Sequence, residues 1–253
     1  TVVKVPGTSL WVPDLAPRTD LSLLSLQDIL ELAGGHVASC GPFHVLCEEC
    51  EVYQFWTRDY IEALARYLWK RCPPGRETVI MDVGAGDGML AHVLRQEMKR
   101  TNTTVGKRKI QLPTIVAVDD ESWGIPAKAT VEKCTIDEAL QRYARSERQH
   151  TIVLCSWMPT GVDWTRRFRD ANVDEYILIG EYDDGNCGDN WETWGNAHFL
   201  DPKQENEQKP PPPPPHQVDG YERKTLKKLR EHHFSRFDTV HSSNSATVSF
   251  TRL

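Results

Sequence analysis

Val79-Ile80-Met81-Asp82-Val83-Gly84-Ala85-Gly86-Asp87-Gly88 is the stretch that decides the fold. Its first five residues form a short, nearly continuous apolar run, the pattern of a parallel strand covered on both faces. Glycines at 84, 86 and 88 then let the backbone bend sharply and approach a ligand where any Cβ would collide. Leu90, Val93, Leu94 and Met98 follow at helical spacing. Strand, glycine turn and helix in that order predict a nucleotide-sized seat at a strand end.

Upstream, Thr57 reads as an N-cap for a helix whose stripe is Ile61, Leu64, Ala65 and Leu68 and which Cys72-Pro73-Pro74-Gly75 stops. A shorter amphipathic helix is expected from Ser25, carrying Leu26, Ile29, Leu30 and Ala33 and ending at Gly34-Gly35. Residues 1–20 carry Pro6, Pro13 and Pro17 with little periodicity and read as an irregular arm.

Downstream, strands are expected at Thr114 to Asp119, near Thr130 to Cys134, at Thr151 to Ser156 and at Glu175 to Glu181, alternating with helices from about Asp137 and Asp163. Such alternation implies a parallel sheet. A helix around Glu222 to His233 is expected next, then strand-like runs Phe237 to His241 and Ala246 to Thr251 as a closing hairpin. The expected fold is α/β: a Rossmann-like, seven-stranded, mostly parallel sheet with a C-terminal antiparallel β-hairpin, helices on both faces and an N-terminal helical extension. Residues 1–52 form the arm and helical lid, and residues 53–253 the main domain. Within it, about 201–219 reads as a disordered insertion, because its polar stretch and the six prolines 210–215 cannot pack a core.

The formal charge of −6 disfavours bulk binding to nucleic acid, whose phosphates call for clustered Lys and Arg. No apolar run approaches the roughly 18 to 20 residues that span a bilayer, and no charged-then-apolar leader opens the sequence. No membrane partner is expected, and the expected location is cytoplasmic, with a nuclear one equally compatible. Seven scattered cysteines, an odd number, fit a reducing compartment and free thiols. His36, Cys40, His44, Cys47 and Cys50 lie close together, but only Cys47 and Cys50 have zinc-type spacing, so no metal is assigned. The proline run has the composition of an SH3 or WW ligand, and a tolerated surface loop is the favoured reading of it.

The second predicted strand ends in Val118-Asp119-Asp120, and an acid there suits a ribose because a carboxylate accepts from both hydroxyls. Asp119 is the first candidate and Asp120 the second. A dinucleotide site would favour Gly-x-Gly-x-x-Gly, whereas here the third glycine comes one residue earlier and Asp82 and Asp87 flank the turn. Those carboxylates repel a pyrophosphate and suit a ligand with an ammonium group and a sulfonium centre.

In these residues the chain resembles the class I S-adenosylmethionine (SAM)-dependent methyltransferases. Asp82 to Gly88 is similar to that family's acidic-x-Gly-x-Gly-x-Gly motif, and Asp119 falls where the family has its ribose-binding acid. The resemblance implies that residues 53–253 form a SAM-dependent methyltransferase domain. SAM would be its cofactor, held by Asp82, Gly84, Ala85, Gly86, Gly88, Asp119 and Asp120. It also implies Asp137 near the adenine, where a helix N-cap is an alternative reading, and Ser156 and Trp157 at the cofactor, with Ser156-Trp157-Met158-Pro159 where amino-directed members carry Asn or Asp, Pro, Pro and an aromatic residue. Tyr53 and Trp56 are candidates for a lid, and Arg58 for holding the methionine carboxylate. With Pro159, Trp191 and Trp194 they form the expected pocket for a small-molecule or protein acceptor. The acceptor is not identified. No general base is singled out, although Asp163, Glu181 and His198 lie at or after strand ends. Two rivals stand beside this reading: a non-catalytic SAM-binding scaffold or sensor, and an NAD-dependent oxidoreductase.

Overall fold

Thr57 Oγ1 accepts the Tyr60 amide at 3.1 Å and starts α1 (Arg58–Arg71), whose buried face includes Ile61, Leu64, Ala65 and Leu68. The computed structural model describes residues 2–4, 11–13, 23, 25, 27, 53–102, 111–144, 149–182, 186–199, 212–238 and 244–253. After α1 the chain enters β3 (Glu77–Val83), numbered after β1 (Val2–Lys4) and β2 (Trp11–Pro13). The latter two pair antiparallel as a small sheet inside the stretch expected to be an irregular arm. The helix expected from Ser25 and the cluster from His36 to Cys50 fall outside the described residues, Ser25 and Gln27 excepted.

The remaining elements alternate as expected: α2 (Met89–Asn102), β4 (Thr114–Asp119), β5 (Glu132–Lys133), α3 (Ile136–Tyr143), β6 (Gln149–Ser156), α4 (Thr165–Asp170) and β7 (Glu175–Glu181). Then come α5 (Pro215–Val218), β8 (Tyr221–Thr225), α6 (Lys227–Arg230) and β9 (Ser245–Arg252). One seven-stranded sheet has the order β5-β4-β3-β6-β7-β9-β8. β9 runs antiparallel to both its neighbours and the other pairings are parallel. The architecture is therefore Rossmann-like, with an antiparallel pair closing the sheet and helices on both faces.

Both faces of the central strands are covered, which explains their unbroken apolar runs. Ile80, Ile152, Leu154, Ile177 and Ile179 pack with α1, α2 and α6 on one side. Val79, Met81, Val153, Cys155, Tyr176 and Leu178 pack with α3 and α4 on the other. The core thus holds the C-terminal ends of β3, β4, β6 and β7 in register along one rim of the sheet.

Two expectations change at the C-terminal end. Residues 222–225 are not helical: Tyr221–Thr225 is an edge strand with Glu222, Arg223 and Lys224 exposed, and only Lys227–Arg230 is helical. Pairing with β9 overrides the helix propensity of its charged residues, and an edge strand tolerates such a polar sequence. β9 pairs antiparallel with β7 on one side and with β8 on the other, so its edge-side partner is β8 rather than a strand starting at Phe237. At Asp238 the chain instead knots: its carboxylate accepts the amides of Ser235, Asn244 and Ser245 at 2.7, 2.7 and 3.0 Å. The end of the stretch expected to be disordered is also built, because Pro215 occupies the first turn of α5 and His216 is buried. A side chain at Gly195 would collide with His216, so α5 is packed tightly there. Among the described residues no helix is long and apolar enough to cross a membrane.

Candidate functional site

The chain reverses sheet direction at β3: β4 follows it on one side, and β6 lies on the other. In open α/β sheets that switch point leaves a crevice at the carboxyl ends of the strands, where ligands bind. The glycine turn stands there. Gly84, Gly86 and Gly88 have φ of +63°, +52° and +76°, which residues with a Cβ rarely adopt. A Cβ on Gly84 would lie 2.8 Å from the Trp164 ring, and one on Gly88 would lie 2.5 Å from Val131 Cγ2. Ile125 Cδ1 lies 3.5 Å from the corresponding point on Gly86. These glycines are therefore required by conformation and by the close approach of the chain's own side chains, which wall the turn.

Four amides in and just after the turn, those of Ala85, Gly86, Gly88 and Met89, are engaged within the chain. Ala85 N–H donates to Val118 O at 3.1 Å and Gly88 N–H to Ala85 O at 2.9 Å. Gly86 N–H donates to Asp119 Oδ2 at 2.9 Å, and Met89 N–H to Asp87 Oδ1 at 3.0 Å. The carboxylate of Asp87 thus sits at the start of α2, also paired with Lys128 Nζ at 3.0 Å. A pyrophosphate needs free amides at that helix N-terminus, and this turn offers it an anion instead.

Asp82, two residues before the turn, is 1% exposed. Its carboxyl accepts the backbone N–H of Ala91, one of the first-turn donors that α2 leaves without a helical partner. Its Oδ2 has no hydrogen-bond partner among the described residues. Burial pushes the Asp82 pKa up to about 7, with the charges of Asp87 and Asp119 adding to the rise. At the end of β4, Asp119 Oδ1 accepts the Glu121 amide at 2.7 Å while Oδ2 holds Gly86. Each oxygen keeps a further lone pair. Asp120 is exposed and turned to the Ser122 amide at 2.9 Å, which with the Ser122 hydroxyl lowers its pKa.

Ser156 ends β6 and Trp157 follows it with φ +57°, its amide donating to Ile179 O at 2.8 Å. Tyr53 lies against Trp157, ring centroids 5.8 Å apart, whereas Trp56 packs on Tyr60 at 5.8 Å. The two lid candidates therefore diverge. Asp137 is not the cap of α3: Thr135 is, in a reciprocal arrangement with Glu138. Asp137 instead pairs with Arg167 at 3.5 Å beside an open depression of about 430 Å³ between α3 and α4. Arg58 donates to Leu23 O at 2.8 Å.

The loops after β6 and β7 are tied together: Gly188 N–H donates to Met158 O at 3.0 Å and Gly161 N–H to Gly188 O at 2.9 Å. Pro159 is half-buried inside this lacing. Trp194 is fully buried and gives its indole N–H to Cys187 O at 2.6 Å, a core position rather than a pocket wall. Trp191 is partly exposed, its amide held by Asp189 Oδ1 at 2.9 Å. Asp163 accepts from Thr165 and Thr193 just ahead of α4, whose N-cap is Trp164. Glu181 is buried and accepts from Asn186 Nδ2. His198 sits exposed in the helical turn Ala197–Phe199.

Sequence reasoning missed Trp164, Ile125, Phe237 and Arg236. A Trp in the loop between β6 and α4, and an apolar residue after Trp123-Gly124, carry no periodic signal; only the topology brings them to the turn.

No protein-family model and no curated protein matches the chain. Among solved structures it is similar to a cyclopropane-fatty-acyl-phospholipid synthase-like protein from Lactobacillus casei, at 11% identity and TM-score 0.38, covering 77% of this chain and 90% of that one. It is also similar to a SAM-dependent O-methyltransferase from Thermotoga maritima, at 12% identity and TM-score 0.39, covering 83% and 71%. A third is a SAM-dependent methyltransferase from Aquifex aeolicus, at 9% identity and TM-score 0.29, covering 77% and 92%. At these scores the likeness carries no weight for activity.

Proposed function

We propose that the chain is a SAM-dependent methyltransferase whose cofactor seat is the turn from Asp82 to Gly88 with Asp119 beside it. The observation that carries this reading is the pairing of an acid-flanked turn, whose Ala85, Gly86 and Gly88 amides are engaged, with a buried carboxylate oxygen on Asp82 that has no donor among the described residues. A pyrophosphate is disfavoured on both counts, and an ammonium group is favoured on the second. The residues present fit SAM: Asp82 would take its ammonium, the open lone pairs of Asp119 would take ribose hydroxyls, and Trp164 and Ile125 would border the adenosyl group. Bound there, SAM would supply an activated methyl group.

The chain's own contribution would be alignment and exclusion of water, which account for much of the acceleration in such a transfer. Tyr53 to Thr57 pairs with Phe234 to Arg236 over the strand ends: Phe55 N–H donates to Phe234 O at 2.9 Å and Arg236 N–H to Tyr53 O at 3.1 Å. That pairing would form a cover at the rim where Trp157 follows β6.

Calorimetry with SAM, its demethylated product and NAD tests the seat. Binding of the first two with none of the third is expected, and Gly86→Val abolishes it; NAD binding alone would refute the assignment. A labelled-methyl assay against cell extract then separates enzyme from scaffold, since tight SAM binding with no acceptor labelled is the result expected of a scaffold.

A further inference from the structure

Three aromatic side chains that the cofactor seat does not use converge at the end of β6. Trp157 stacks on Phe237 with centroids 5.3 Å apart, and Tyr53 closes the other side at 5.8 Å from Trp157. Between Tyr53 and Phe237 lies a cation from the chain itself: the Arg236 guanidinium carbon is 3.9 Å from the Tyr53 centroid and 4.8 Å from that of Phe237. Both distances are inside the range in which a ring face attracts a cation.

Trp157 is held there against local preference. Its φ of +57° is a conformation that bulky residues avoid, and its indole N–H is buried with no acceptor among the described residues. Its ring packs beside Gly180 on β7, 3.7 Å from where a Cβ would stand, an ordinary van der Waals contact. The Asp238 knot fixes Phe237, whose amide donates to Ser235 Oγ at 3.2 Å, and the pairing of Tyr53 with Arg236 fixes the other wall. Strain and an orphan donor in one residue, inside a rigid frame, mark a side chain retained for binding.

We propose that Tyr53, Trp157 and Phe237 form a binding site for an organic cation, a guanidinium or alkylated ammonium group, and that Arg236 occupies it as an internal stand-in that the ligand displaces. As the seat of a methyl acceptor this rests on the methyl-transfer reading and names the acceptor as a nitrogen base bound as its conjugate acid, which gives a proton to solvent before its lone pair takes the methyl carbon and the sulfonium leaves as a thioether; as a cation site it rests on its own geometry.

The test is calorimetric titration of the full chain, without SAM, using methylguanidinium, choline and choline's neutral carbon isostere 3,3-dimethylbutan-1-ol. Arg236→Gln vacates the box and is expected to bind at least one of the two cations tenfold or more tighter than the wild type, and the isostere not at all. Adding Trp157→Leu or, separately, Tyr53→Leu to that variant removes the gain while circular dichroism stays native. Two outcomes overturn the proposal: no saturable cation binding by Arg236→Gln, or equal binding of the isostere, which would mean a plain apolar pocket. SAM titrated in parallel keeps the two readings apart, because cation binding without SAM binding sinks methyl transfer alone, and the reverse sinks the cation site alone.

Discussion

Replacing Asp82 with Asn isolates the buried acid at the turn. Folded Asp82 holds its proton up to about pH 7, because of burial first and then the charges of Asp87 and Asp119, whereas the unfolded carboxyl loses it near 3.8. Between those values the folded state binds more protons, so this group's contribution to stability falls as pH rises and levels off above about 7. From about pH 5 to about pH 8 the change is about 3 kcal/mol, at 1.36 kcal/mol for each tenfold. His216 and His233 oppose it. Burial lowers both to about 4 from 6.5, so the unfolded chain takes their protons first and stability is lost as pH falls through that window. A wild-type profile alone therefore mixes two opposite slopes, and only the difference between wild type and Asp82→Asn reports the acid. Asn keeps an acceptor for the Ala91 amide and cannot ionise. Urea unfolding at a series of pH values should find the variant gaining about 3 kcal/mol on the wild type between about pH 5 and about pH 8. A gap that stays constant across that range would refute both the burial argument and the idea that this acid lacks a partner. Saturating SAM should shrink the gap, since an ammonium opposite Oδ2 keeps the wild-type carboxylate ionised at lower pH.

Gly88→Ala should lower stability by about 1–3 kcal/mol, combining strain at φ +76° with a collision at Val131, and thermal unfolding reads it. Asp119→Ala should weaken SAM binding by about 1–3 kcal/mol, which calorimetry would register as roughly 5- to 150-fold; it also frees the Gly86 amide, so a neutral affinity change would remove Asp119 from the site. Arg71→Ala should destabilise by about 3–5 kcal/mol, because Glu175 is wholly buried and receives Arg71 Nε at 2.5 Å. Glu175→Gln should cost less than Arg71→Ala in urea unfolding, since it removes the buried charge rather than stranding it.

The parallel half of the fold was legible because its signals are local and periodic. Thr57, Leu64 and Leu68 announce α1, and the run from Glu175 to Glu181 is apolar because both faces are covered. The edge of the sheet was not legible. Tyr-Glu-Arg-Lys-Thr at 221–225 carries one buried face residue and three exposed charges, which also suit a helix, and the choice is made by β9 far along the chain. Phe237 reads as a strand residue until the Asp238 carboxylate gathers three amides and turns the chain there.

At the candidate site the sequence identifies which side chains reach the rim of the sheet, because period and spacing fix that, but not which donors and acceptors are still open when they arrive. Asp87 and Asp119 looked alike as acids near a glycine turn; one caps α2 and the other ties Gly86 to β4 while keeping lone pairs for a ligand. Asp82 looked like a third, yet burial leaves it half neutral with one oxygen unmatched. Since an engaged amide cannot hold a phosphate and an unmatched carboxylate oxygen attracts an ammonium, the bonding state of the turn separates a dinucleotide from an adenosyl amino acid more sharply than glycine spacing does.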